Sequence, residues 1–219
     1  MKKVIVSDNG VITSNGKAHY IDVLPDDFTE LQYVSVTGKT ASDTGIVVQD
    51  TDTIFVTFEL GGLNKAGDKF IISNRGGATT GTGLWIENYG NANTWYVRFG
   101  STGSVNKAPT TAQKTGVHIL ELRKGYFGVD GVSYLTPSYS SMPDSTLNVG
   151  GRLAASGTGV TGSTGNLYEV KVVDANGEPR WWGIPVKDSN NIAGFYDMVK
   201  DAFHKSNTSY PFIAGPIKQ

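Results

Sequence analysis

Cysteine is absent from the 219 residues, which removes disulfides, thiolate nucleophiles and cysteine-bound zinc from the possible chemistry. The compartment stays open, because a secreted chain can also lack cysteine. Charge is scarce: 18% of residues are Asp, Glu, Lys or Arg, against about 25% in an ordinary soluble protein. The formal net charge is −1 and no cluster of Lys or Arg stands out, so nothing tracks a phosphate backbone or an anionic membrane. Nucleic acid is not expected as a partner. Long apolar runs are missing too. Met1-Lys2-Lys3-Val4-Ile5-Val6 opens as a signal peptide would, but Ser7-Asp8-Asn9-Gly10 ends the run, short of the roughly 7–15 apolar residues of a signal core. No later stretch approaches the roughly 20 needed to span a bilayer. The expectation is a chain made in the cytoplasm, without a Sec route out and without membrane insertion. A chain trimmed of its signal would read the same way.

What is present is glycine, 28 residues of it, and 38% hydrophobic residues, enough for one buried core at this length. The apolar period is two. Thr53-Ile54-Phe55-Val56-Thr57-Phe58-Glu59-Leu60 puts Ile54, Val56, Phe58 and Leu60 on one face, and Val117 to Arg123 sets His118, Leu120 and Leu122 against Val117, Ile119, Glu121 and Arg123. Leu167 to Val173 sets Tyr168, Val170 and Val172 against Leu167, Glu169 and Lys171. Such alternation marks strands with one face on a core. Asn9-Gly10, Asn15-Gly16, Asp130-Gly131 and Asn176-Gly177 punctuate the runs with the residues that tight hairpin turns demand. The fold expected is all-β, a two-sheet antiparallel sandwich with at most one short helix near 194–204. Residues 1–23 read as small hairpins, either edge strands or a docking arm, ahead of a sandwich over 24–219. Two stretches poor in apolar residues, Ser101 to Lys114 and Ala154 to Gly165, read as solvated connections or as partner-contacting loops.

Leu24-Pro25-Asp26-Asp27-Phe28-Thr29-Glu30-Leu31-Gln32-Tyr33-Val34, with Ser35-Val36-Thr37-Gly38 and Asp43-Thr44-Gly45-Ile46 behind it, resembles the opening of a concanavalin A-like, laminin G-like domain. That domain is widespread in bacteriophage structural proteins and in surface proteins of gut bacteria. His118 to Ser133 resembles its central hairpin, and Leu147 to Arg152 the strand before its variable loop. Leu167 to His204 and the final Phe212-Ile213-Ala214-Gly215-Pro216 resemble its close. Trp181-Trp182-Gly183 departs from the family's usual Arg-Asp-Phe, and the middle of the chain matches in strand pattern alone. The resemblance implies a jelly-roll sandwich, with carbohydrate or surface recognition in some members and structural packing in others.

Catalysis is not expected. Glycoside hydrolysis needs two carboxyl groups flanking the scissile bond, and the E-x-D-x-x-E string of the glucanases with this fold does not occur: Glu59, Glu87 and Glu121 are each followed by other residues. His19, His118 and His204 lack metal-ligand spacing, and His118 reads as a buried, hydrogen-bonded core histidine. No cofactor is expected. Loop calcium is a possibility, because Asp43, Asp50 and Asp52 lie close in sequence, although without the EF-hand spacing. The best binding clue is aromatic. Leu84 and Ile86 should face the core and leave Trp85 and Glu87 outward; Trp95, Val97 and Phe99 should do the same and leave Tyr96 and Arg98 outward. With Asn88 these would form a flat aromatic surface with a polar rim, suited to a sugar ring, unless another layer or subunit covers it. Trp181-Trp182 carries the same two readings, core or interface. A phage particle component assembled in the host cytoplasm fits best, with other virion proteins or cell-surface glycans as partners and homo-oligomerisation expected. A glycan-binding module of a secreted or surface bacterial protein is the alternative, and a hydrolase the less favoured third.

Overall fold

Alternation dictates the architecture. In the computed structural model, the described residues are 24–61, 68–74, 83–89, 94–101, 106–113, 115–153 and 160–219, plus short strand segments within 2–22. They form an all-β sandwich of two antiparallel sheets, open rather than closed into a barrel.

The early segments are β1 (Lys2–Val4), β2 (Val6–Ser7), β3 (Gly10–Val11), β4 (Thr13–Ser14), β5 (Lys17–Ala18) and β6 (Tyr20–Asp22). β2 pairs with β3, β4 with β5, and β1 with β6. Among the described residues these strands pair only with one another. Asn9, Asn15, Gly16 and His19 lie outside the described residues.

The larger sheet holds β7 (Phe28–Glu30), β8 (Val34–Thr37), β10 (Thr53–Leu60), β15 (Val117–Arg123), β16 (Tyr126–Val129), β17 (Val132–Leu135), β21 (Thr164–Val173), β22 (Pro179–Asp188), β23 (Ala193–Asp197), β24 (Ala202–Lys205) and β25 (Ile213–Ala214). Its backbone order is β17-β16-β15-β10-β21-β22-β23-β24. The smaller sheet runs β14 (Asn106–Lys107), β13 (Thr94–Ser101), β12 (Gly83–Tyr89), β11 (Asp68–Ser73), β18 (Asn148–Val149), β9 (Ser42–Asp43). A ribbon of β19 (Gly151–Leu153) and β20 (Val160–Gly162) adjoins it. Ile54, Val56, Phe58, Leu120, Leu122, Val170, Val172 and Trp181 from the larger sheet meet Ile72, Leu84, Ile86, Trp95, Val97 and Phe99 from the smaller in one core.

Asp130-Gly131 makes the two-residue turn expected of it: φ is +53° and +77° at the two positions, the doubly left-handed geometry that matches strand twist. His118 lies on the same face as Leu120 but near the strand's end, half-buried rather than core. Its Nδ1 is 2.7 Å from Asp130 Oδ2 and its Nε2 2.9 Å from Thr115 O.

Three expectations change. Residues 194–204 are not helical: β23 and β24 form a hairpin. Buried Asp197 organises its turn by accepting from the Trp182 N–H (3.2 Å) and the Val199 N–H (3.0 Å), and Asp201 closes it at φ +59°. The phase of β21 also switches. The register steps between Thr57 and Phe58, which pair with Glu169 and Leu167, so Tyr168 is the extra residue of a bulge. Leu167 therefore faces the core and Tyr168 faces out. Third, the stretch from Ser101 is less of a loop than its composition says. β14 and a 3-10 turn at Thr110–Ala112 lie in it, and the Trp95 indole donates to Ala112 O at 3.0 Å. Residues 102–105, 114 and 154–159 of the two expected loops are outside the described set.

Candidate functional site

The expected aromatic surface is oriented as the alternation says but is not open. Trp85, Glu87 and Arg98 turn away from the core, yet their exposures are 3%, 4% and 6%. Polar and aromatic groups pack against one another on that face. The Arg98 guanidinium lies 4.1 Å from the centre of the Trp85 ring, Phe70 meets Trp85 edge-on at 6.0 Å, and Arg152 of β19 lies over Phe70. Tyr96 is half-buried beneath Lys107, whose Nζ is 5.1 Å from the ring centre. The Asn88 side chain and residues 90–93 of the connecting turn lie outside the described residues. Among the described residues of this face, the Trp85 ring is not open to a sugar.

The open site is on the other sheet, where the sheet forks. β21 and β22 pair through Val170–Val173 and Pro179–Gly183, then part. The chain comes down along β22 as β7, with Asp188, Lys187 and Val186 opposite Phe28, Thr29 and Glu30. It bends at Gln32 and leaves along β21 as β8, with Leu167 opposite Val34 and Thr164 opposite Thr37. Inside this V lies the C-terminal segment. Ile213 and Ala214 pair with Ser35 and Val34, Ile217 bridges Leu31, and the Gln32 N–H donates to Pro216 O at 2.8 Å. Pro185 sits where β22 departs, and its carbonyl accepts the Leu31 N–H at 2.9 Å.

At the apex of the fork a groove of about 590 Å³ opens on the outer face, lined by Trp182, Tyr168, Ile184, Met198, Pro185 and Leu31 with Thr57, Glu169, Gln32, Glu30 and Lys218. Trp182 faces out because its neighbour Trp181 faces in: Trp181 is 1% exposed and packs against Phe195 at 6.3 Å. Lys171, opposite Trp182 in register, holds its ammonium 4.4 Å from that ring's centre. Lys218 bonds Glu30 Oε1 at 2.6 Å across the rim.

Tyr168 belongs to a network beside the groove. Its hydroxyl donates to Glu59 Oε2 at 3.0 Å, and the Asn166 amide donates to the same oxygen at 2.8 Å. Ser35 donates to Asn166 Oδ1 at 2.6 Å, and the Tyr33 ring lies 5.2 Å from the Tyr168 ring. Burial pushes the Tyr168 phenol up to about 12, with the bond to Glu59 and its charge adding to the effect. The hydroxyl is thus committed as a donor, and the ring is what Tyr168 offers to a ligand. A folded-state value above the ordinary 10 means that this stabilisation is complete below pH 10 and is lost as pH rises toward 12. Burial and a hydrogen bond to Asp201 push the Tyr196 phenol up as well, so ultraviolet titration should show Tyr168 ionising about two units late and ahead of Tyr196, and Tyr168→Phe should remove the earlier of these two late steps.

The carboxylates considered for calcium do not converge. Asp50 pairs with Lys124 at 3.1 Å, and that hydrogen bond holds its carboxyl below the usual range. Asp52 is buried against Arg180 and accepts the Gln49 N–H at 2.8 Å. Asp43 accepts the Gly45 N–H at 2.9 Å. Among the described residues no group of three or more His, Asp or Glu could hold a metal ion, and no helix is long and apolar enough to cross a membrane.

The sequence reading missed Tyr168, Glu169, Ile184 and Met198 as site residues, and it left Trp182 undecided. A signal for Trp182 existed: two adjacent tryptophans in an alternating strand must face opposite ways. No family model and no curated protein matches the chain.

Proposed function

We propose that this chain is a non-catalytic, lectin-like sandwich of a bacteriophage particle, a tail, baseplate or capsid-decorating component that binds host surface glycans through the groove at the sheet fork. The groove carries the reading. An indole, a phenol ring and aliphatic side chains face out of a rigid sheet, with carboxylate, amide and ammonium groups around them. A sugar ring packs its apolar face on such a surface while its hydroxyls bond the rim. The particle assignment rests on the resemblance of residues 24–216 to the sandwich domains of phage structural proteins, and other virion proteins and further copies of the chain are its expected neighbours.

Hydrolysis is not proposed. Glu30 is held by Lys218, and Glu59 beside the groove by Tyr168 and Asn166, so these two carboxylates serve as fixed acceptors and Glu169 is left as the one other acid of the groove lining. A secreted or cell-surface glycan-binding module would use the same groove and differ in where the chain is found.

Mass spectrometry of purified particles, paired with host adsorption, separates these readings. The full-length chain is expected at many copies per particle, and particles carrying Trp182→Ala should assemble normally and adsorb about tenfold less. Normal adsorption by that variant would leave a bracing role in the particle. A chain missing from particles and found outside bacterial cells would leave the module.

A further inference from the structure

The groove continues along the sheet. Trp182 of β22 is in register with Lys171 of β21, Lys171 with Phe55 of β10, and Phe55 with Glu121 of β15. Beside this row a second one places Glu169 opposite Thr57 and Thr57 opposite Ile119. All six partners of Trp182 in these rows point away from the core. Phe55 is half-buried, and Ile119 is 49% exposed, a large aliphatic side chain open to solvent. From β22 to β15 is three strand spacings, about 14 Å, room for a chain of about three sugar rings laid across the strands.

Charge selects among chains. The path carries Glu30 with Lys218, and Glu121 with Arg123, as closed pairs. Glu169 of the groove then stands against Lys171, whose ammonium rests on the Trp182 ring, and Glu59, bound by Tyr168 and Asn166 beside the path, adds one further carboxylate. That leaves more carboxylate than cation, so a polyanion meets repulsion and an uncharged chain does not.

We infer that the outer face from Trp182 to Ile119 binds an extended, uncharged polysaccharide along its length rather than a single sugar or an acidic polymer. The inference rests on the glycan-binding reading above. Apolar faces of successive rings lie on Trp182, Phe55 and Ile119, while the Glu169 carboxylate and the Thr57 hydroxyl meet the ring hydroxyls between them.

Isothermal titration of the full chain tests this against glucan, mannan and galactan oligosaccharides from disaccharide to hexasaccharide, with polygalacturonate as the anionic polymer. One neutral series is expected to bind, with affinity rising about tenfold from disaccharide to tetrasaccharide, or about 1.4 kcal/mol. Trp182→Ala should weaken every length about tenfold, with Trp182→Phe restoring much of the loss. Ile119→Ser should weaken the longer oligosaccharides and leave the disaccharide unchanged. Affinity independent of length, preference for polygalacturonate, or neutral binding indifferent to both Trp182 variants would overturn the inference while leaving glycan binding standing. If no saccharide binds, the glycan reading itself falls and this inference with it.

Discussion

Trp181→Ala is expected to lower the stability of the fold by about 3–5 kcal/mol, while the same change one residue on, Trp182→Ala, should cost about 1 kcal/mol, mainly its contact with Lys171. The difference follows from which way each indole faces. Trp181 is 1% exposed, tilted against Phe195 at 6.3 Å and edge-on to His204 at 5.9 Å. Its ring also lies directly over Gly183, where an added Cβ would come within 2.6 Å of Trp181 Cζ3. Glycine two residues along the same face is what gives that ring its seat. Truncation would empty the largest fully buried side-chain volume among the described residues. Trp181→Phe should lose much less. It keeps a ring over Gly183 and removes an indole N–H that is buried without an acceptor among the described residues, a group that costs stability while unpaired. Urea denaturation followed by circular dichroism gives all three values. Equal losses at 181 and 182 would mean that Trp182 is a core residue, and the groove would lose its main surface.

What the sequence makes legible here is local, and what it hides is long-range. Ile54, Val56 and Phe58 declare the inner face of β10 because nothing interrupts their alternation, and Asp130-Gly131 declares its turn because few other pairs tolerate two positive φ values. β21 misleads by one residue: the bulge at Tyr168 leaves no mark in composition, and it moves a phenol from core to groove. Residues 194–204 mislead in another way. Gly194 to His204 is compatible with a short helix until Asp197 is seen to bind N–H groups of Trp182 and Val199, and one of those partners lies in a different strand. Alternation says correctly that Trp85 and Arg98 leave the core, but it is silent on what lies above them. There Arg98 lies on Trp85 and Arg152 over Phe70. The fork is the least legible feature. It depends on residues 30–35 pairing with 213–218 and on β22 finding β7 in place of β21, choices settled by tertiary packing and not by any local run.

Gly165→Ala should be the most damaging single-methyl change in the larger sheet, at about 3 kcal/mol or more. Gly165 sits in register with Leu60 on one side and Val36 on the other, so it is held between two strands. Its φ is +151°, a region where a Cβ is strained, and the added carbon would collide with the Glu59 carbonyl oxygen and reach within 2.7 Å of Phe58 Cζ. A backbone oxygen in a ladder cannot swing aside as a side chain can. The relief open to the protein is to spread β10 from β21, which separates Glu59 from Asn166 and Tyr168. A control isolates the collision from the backbone strain: Gly177 has φ +80° with nothing within 4 Å of an added Cβ, so Gly177→Ala should cost about 1 kcal/mol. Thermal denaturation of both variants gives the energetic comparison, and tyrosine titration supplies the geometric one. In Gly165→Ala the Tyr168 ionisation, identified as the step lost in Tyr168→Phe, should move down from about 12 toward the ordinary 10 while that of Tyr196 stays late, because Tyr168 no longer donates to a carboxylate held against it. A Gly165→Ala protein with unchanged melting and an unchanged late step would show that β10 and β21 are not locked at this point, and that Tyr168 is placed by something other than the bulge that follows Gly165.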